Sequence, residues 1–145
     1  MRLLVLNGPN LNLLGSREPH IYGSKTLKHL EDDVRERHPD VSTDWRQSNH
    51  EGELIDAIQK AADQGYTGII LNGAGFTHTS VALRDAVAAT PLPVVEVHIS
   101  NIHAREEFRQ HTLTGEVATG VITGLGTAGY HLAVQYFQER HATTA

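Results

Sequence analysis

Apolar residues follow two rhythms along this chain. Short unbroken runs, Leu3–Leu6 and Gly68–Leu71, have the character of strands buried on both faces, and Pro93–Ile99, with VVEVHI after Pro93, predicts a further strand. Val41, Thr43 and Trp45 alternate with polar residues, the pattern of a half-exposed strand at a sheet edge. Val117–Leu125 is rich in β-branched residues and predicts a fifth strand. Between the runs the period lengthens. Leu27, Leu30 and Val34 predict an amphipathic helix from Thr26 to His38, stopped by Pro39. Leu54, Ile55, Ile58, Ala61 and Ala62 predict a second helix closed by Gly65, and Val81, Leu83, Ala86 and Val87 a third. A short charged helix is expected over Ala104–His111, and a last one carries Leu132, Ala133, Tyr136 and Phe137 before Ala142–Ala145 fray.

Five strands alternating with five helices imply an α/β, doubly wound parallel sandwich. At 145 residues the expected version is flavodoxin-like, one domain over 1–145 with strand order 2-1-3-4-5. Strands 1 and 3 then flank the switch point, where ligands bind beyond the carboxyl ends of the strands. Polar residues gather after strand 1 (Asn10 to Tyr22), after strand 3 (Asn72 to Ser80) and at the end of strand 4 (Glu96 to Arg109). The topology brings these distant segments to one cleft.

Composition narrows the chemistry. Net charge is −5, from 12 basic and 17 acidic residues, with no basic run, which argues against a nucleic-acid partner. There are no cysteines, so disulfides, thiolate nucleophiles and cysteine-bound metals are excluded. No stretch approaches the roughly 20 apolar residues of a membrane helix, and the four-residue apolar run near Met1 is too short for a signal peptide. A cytoplasmic protein is the expectation. The three lysines, Lys25, Lys28 and Lys60, fall in or beside helix patterns rather than at strand ends, against Schiff-base chemistry. Gly73 and Gly75 make neither G-x-G-x-x-G nor a Walker motif.

Two constellations remain. Glu96 and His98 are two apart on a buried strand, so both side chains share a face. A carboxylate on one ring nitrogen fixes the tautomer and leaves the other for substrate, an acid–base arrangement. A core histidine with a satisfied ring, or a metal site adding His78 or His103, uses the same residues. The second constellation is the long segment Asn7–Gly23, NGPNLNLLGSREPHIYG, which carries Asn10, Arg17 and Tyr22. It reads as a mobile lid, or as an Ω-loop packed on its own leucines. A cation beside Tyr22 lowers the phenol pKa, but an exposed pair contributes only about 0–1 kcal/mol, so a phenolate requires exclusion of water. Asn72 and Ser100 suit hydroxyls and a carboxylate. Arg105 and Arg109, one helical turn apart, form an anion site or a solvated basic face. Asp85 reads equally as an exposed helix charge.

The chain resembles the type II 3-dehydroquinate dehydratases at NGPNLNLLGSREPHIYG (7–23), QSNHEGELID (47–56), THTSVALRDA (77–86) and VEVHISNIHAREEFR (95–109). The resemblance spans nearly the whole chain. It implies a hydro-lyase of the shikimate pathway, without metal or cofactor, assembled as a dodecamer of trimers. By motif position it implies Tyr22 as base with Arg17 activating it, and His98 as general acid oriented by Glu96. Asn10 would hold a water against the enolate, and Asn72 would bind the departing hydroxyl. Ser100 and the Ile99 amide would hold the carboxylate, and His78 and Arg109 the distal hydroxyls. Arg105 takes a supporting role, and Asp85 would reach a neighbouring subunit's site. One departure stands out. Gly73-Ala74-Gly75 follows Asn72 where the family usually has Pro or Ala and then Gly-Ala, which bears on the placement of Asn72. Two other classes fit the residues alone: a metal-dependent lyase or isomerase using Glu96 and His98, and a binding module without catalysis.

Overall fold

The computed structural model describes residues 1–16, His20 and 23–144. Five parallel strands form one sheet: β1 (Arg2–Asn7), β2 (Ser42–Gln47), β3 (Gly68–Asn72), β4 (Val94–His98) and β5 (Gly120–Thr123), in the order β2-β1-β3-β4-β5. The expected flavodoxin-like order is the observed one. Every residue of β3 and β4 is buried, Glu96 and His98 included, whereas β2 is only partly buried and forms one edge.

Four helices of two turns or more are described: α1 (Leu27–Arg37), α2 (Glu51–Ala61), α3 (Val81–Ala89) and α4 (Ala128–Thr144). Local chemistry fixes their starts. Thr26 caps α1 by accepting the His29 amide at 3.2 Å, and the His29 ring accepts the Thr26 amide in return. Ser80 caps α3 through the Leu83 amide at 2.9 Å. On β1, Leu3 and Val5 face a core completed by Leu30 and Val34 of α1 and by Ala133, Val134 and Phe137 of α4. Leu4 and Leu6 face a second core under α2 and α3, with Leu54, Ile58, Leu83 and Val87. The sheet therefore separates two apolar layers, and its carboxyl end is where loops can meet. Among the described residues no helix is long and apolar enough to cross a membrane.

Three expectations are corrected. The helix over Ala104–His111 does not form. Two 3-10 turns, Ile102–Ala104 and Glu107–Arg109, stand there instead. Arg105 between them has extended backbone, so Arg105 and Arg109 do not share a helix face. The segment lacks an apolar stripe to hold a helix on the sheet: Phe108 is 66% exposed. The C-terminal helix continues to Thr144, with Thr143 and Thr144 hydroxyls donating to the Arg140 carbonyl. Val81 and Leu132, read as core positions, are exposed, and Tyr130 and Val134 take the buried face of α4.

Candidate active site

The cleft lies at the carboxyl end of β1, β3 and β4, lined by Asn10, Asn72, His78, His98, Ser100, Arg105 and Arg109 among others. Seven positions named from the sequence thus converge, together with Ile99. Two glycines let the loops after β1 and β3 meet. The Gly8 amide donates to the Asn72 carbonyl at 2.8 Å, and a Cβ on Gly8 would sit 2.6 Å from the Gly73 oxygen.

Glu96 and His98 share one face of β4, as period-two geometry requires. His98 Nε2 is 2.8 Å from Glu96 Oε2, and both side chains are almost wholly buried. An ionised carboxylate only accepts, so Nε2 carries the proton and Nδ1 is left for another partner. Thr112 Oγ1 donates to Oε2 at 2.7 Å and Thr114 Oγ1 to Oε1. Burial alone would push the Glu96 carboxyl up. The hydrogen bond and charge of His98, with the hydrogen bonds from Thr114 and Thr112, outweigh it and hold the group below its usual range. Neither threonine was anticipated. Their segment follows a loop, and 16 and 18 residues separate them from Glu96. The only local sign is two hydroxyls two apart, Thr112-Leu113-Thr114, before β5.

His78, on the helical turn Phe76–Thr79, stacks against His98 with ring centroids 6.2 Å apart. Its Nδ1 donates to the His111 carbonyl at 2.7 Å. Burial, partly offset by that bond, lowers its pKa. Both remaining ring nitrogens, on His78 and His98, are thereby left as hydrogen-bonding positions for a ligand. Glu96 with His78 or His103 does not make an ion site: among the described residues no group of three or more His, Asp or Glu is placed to hold a metal.

Asn72 is buried and tied on two sides. Its Oδ1 accepts the Ala74 amide at 3.1 Å, and its Nδ2 donates to the Tyr130 hydroxyl at 2.9 Å. Ala74 has φ of 49°, so the departure at Gly73-Ala74-Gly75 places an alanine in left-handed backbone. Asn10 also has positive φ, 70°, and opens the 3-10 turn Leu11–Leu13, where Leu11 is buried with Leu14 nearby. Its amide donates to Asn49 Oδ1 at 3.0 Å, and Gln47 Nε2 donates to the Gly8 carbonyl at 3.1 Å. The end of β2 thus fastens the segment after β1, a role for the QSN stretch that sequence pattern did not reveal.

Two cations, Arg105 and Arg109, also line the cleft. Arg105 Nη1 donates to Ser100 Oγ at 3.4 Å, and Arg109 Nε donates to Glu106 Oε2 at 3.1 Å. Glu106 bridges both arginines and sits below its usual pKa through its own backbone amide and Arg109. Asp85 is not in this cleft. It is exposed on α3, with Arg84 Nη1 at 3.6 Å. Arg17 and Tyr22, and with them part of the expected lid, lie outside the described residues.

The family described as dehydroquinase class II matches residues 1–138. A 3-dehydroquinate dehydratase of an Exiguobacterium species is 54% identical over 146 aligned residues, covering 97% of this chain and 99% of the relative. The Bacillus licheniformis 3-dehydroquinate dehydratase is 56% identical over 137, covering 93% of this chain and 94% of its own. The crystal structure of the type II dehydroquinase from Butyrivibrio crossotus superposes with a TM-score of 0.93 at 43% identity, covering 95% of this chain and 97% of that one. Matches that run nearly end to end in both partners, in sequence and in backbone, leave one conclusion: this chain belongs to the class II dehydroquinase family.

Proposed function

We propose that this chain is a 3-dehydroquinate dehydratase that removes water by anti elimination through an enolate. The observation that carries the reading is the buried Glu96–His98 couple opening on a cleft of hydrogen-bonding groups and cations. A polyhydroxylated ring acid presents the complementary groups: a carboxylate, a ketone and several hydroxyls.

The chemistry follows from the side chains. Tyr22, as phenolate beside Arg17, takes a proton from the carbon next to the ketone. The electron pair moves onto the carbonyl oxygen, and a water held by Asn10 stabilises the enolate. When the enolate collapses, the carbon–oxygen bond on the ring breaks. His98, protonated on both nitrogens and steadied by Glu96, gives its Nδ1 proton to the leaving hydroxide, which departs as water. Hydroxide leaves poorly unaided, so this proton carries much of the catalysis, about 10²–10⁴-fold for one positioned acid. Asn72 holds the same hydroxyl by its spare N–H. Ser100 and the Ile99 amide hold the carboxylate, with Arg105 supporting Ser100, and His78 and Arg109 hold the distal hydroxyls. Asp85, exposed and outside its own cleft, serves a neighbouring copy within a dodecamer built from trimers; sedimentation of a monomer would refute that assembly.

The test is ultraviolet absorbance after adding 3-dehydroquinate to chelator-treated protein, beside an aliquot treated with borohydride. A rise from the conjugated enone in both supports acid–base dehydration by these residues. A rise only when a divalent ion is restored, or its loss after borohydride, refutes it.

A further inference from the structure

The Tyr130 hydroxyl is wholly buried in the core between the sheet and α4, where an unpaired polar atom is costly. It is paired twice. Tyr130 donates to Asn7 Oδ1 at 2.7 Å and accepts from Asn72 Nδ2 at 2.9 Å. Asn7 and Asn72 are register partners on β1 and β3, the strands that flank the switch point. The phenol therefore sits under the floor of the cleft, and Trp45 of β2 stacks on its ring at 5.6 Å.

Donor and acceptor roles in this chain follow from one fixed end. The Ala74 amide only donates, so the Asn72 atom 3.1 Å from it is the oxygen. Nδ2 of Asn72 then faces Tyr130 and donates to it. A phenol has one hydrogen, which goes to Asn7, so the Asn7 atom facing it is again the oxygen. Asn7 Nδ2 is left buried without a hydrogen-bond partner. Among the described residues Asn7 does not line the cleft, whereas Asn72 does. Of the two N–H groups on Asn72, Tyr130 occupies one and the second is left for a ligand.

We propose that Tyr130 is a positioning residue for the dehydration: by accepting one Asn72 N–H while donating to Asn7, it locks the carboxamide so that its other N–H meets the departing hydroxyl. This rests on the dehydratase reading above. Without the phenol oxygen the Asn72 amide keeps only the Ala74 bond to its oxygen, and its nitrogen loses the acceptor that holds it inward. With Asn7 removed the phenol hydrogen loses its acceptor, and the Asn72 oxygen can replace it only if the amide turns the wrong way.

A double-mutant cycle separates this role from simple core support. Tyr130→Phe alone should lower kcat roughly five- to twenty-fold with KM changed less. In an Asn72→Ala background the same substitution should lower kcat less than about two-fold, since the group it orients is gone. Asn7→Ala repeats the cycle from the other end with Tyr130 intact, and should also lose its effect in the Asn72→Ala background. Unchanged kcat in Tyr130→Phe, or an equal loss in both backgrounds, overturns the proposal. Absence of enone formation by the unsubstituted protein would instead overturn the dehydratase reading itself.

Discussion

Two polar inclusions interrupt the two apolar cores of this protein, one on each face of the sheet. Under α2 and α3, Glu96 is an ionised carboxylate ringed by His98, Thr112 and Thr114. Under α4, Asn7, Tyr130 and Asn72 form a neutral chain. Both end at the same cleft, but they solve different problems. A buried charge must collect donors, and the donors then set where protons sit. A neutral chain sets no charge; it sets direction, because each link consumes one donor and one acceptor. The difference teaches that an interior polar group should be judged by what it leaves at the surface of the site. The charged inclusion leaves a ring nitrogen backed by a carboxylate, and the neutral one leaves an oriented N–H.

Substitutions on the charged side should cost the most. His98→Ala removes the proposed acid, and kcat should fall by about 10²–10⁴-fold with substrate still bound, read by initial rates of enone formation. Near-normal turnover would take His98 out of that role. Glu96→Gln keeps the shape but removes the charge behind the imidazole. A hydrogen bond to a charged group is worth about 1.5–3 kcal/mol against 0.5–1.5 for a neutral one, so a loss of roughly ten-fold is expected. A loss as large as that of His98→Ala would mean that Glu96 does more than orient and stabilise.

Thr114→Val tests the ring around the charge and separates the two inclusions by pH. The folded protein holds Glu96 below its usual pKa. At pH values between the folded and ordinary values the unfolded chain binds the extra proton, so the stability this group contributes is whole above the ordinary value and drains as pH falls through the folded one. Removing a donor raises the folded value. The stability gap between Thr114→Val and the unsubstituted protein should therefore be widest near neutrality and narrow below about pH 4, in denaturant titrations at several pH values. Turnover should fall only about three- to ten-fold. Tyr130→Phe offers the contrast. Burial pushes that phenol above its ordinary range, and it stays neutral through the same titration. Its stability gap should not change with pH, and a gap that narrows in acid would mean that the neutral chain is coupled to a carboxylate.

The sheet was legible in the sequence because strand runs separated by helix periods imply a doubly wound fold, and 2-1-3-4-5 is the common order at this length. The charged couple was legible too, because Glu96 and His98 are neighbours on one strand and period two alone puts them together. The donors that complete it were not, since Thr112 and Thr114 reach Glu96 only once the chain has turned past 109. The neutral chain was less visible still. Tyr130 is 58 residues from Asn72 and 123 from Asn7, and a tyrosine in an apolar helix pattern reads as core. The segment 104–111 was misread because charge spacing resembles a helix face, whereas a helix on this sheet needs apolar side chains to bury.

The smallest effect lies at the loop that fixes the neutral chain. Ala74 holds φ of 49°, a conformation that costs an L-residue about 1–2 kcal/mol, while its amide anchors the Asn72 oxygen. Glycine relieves that cost but loses about 0.4–1 kcal/mol through its freer unfolded chain. Ala74→Gly should therefore stabilise the protein by about 0.5–1 kcal/mol, a rise in Tm of roughly 1–4 °C. Turnover should stay within about two-fold, because the amide and its hydrogen bond to Asn72 are kept. If Tm rises but kcat falls well beyond that, the alanine methyl restrains the turn that Asn72 needs, and the strain belongs to the orienting chain. If both hold, the direction of the Asn72 amide is set by its hydrogen bonds alone, and the departure at this position is a cost in stability without a consequence for the site.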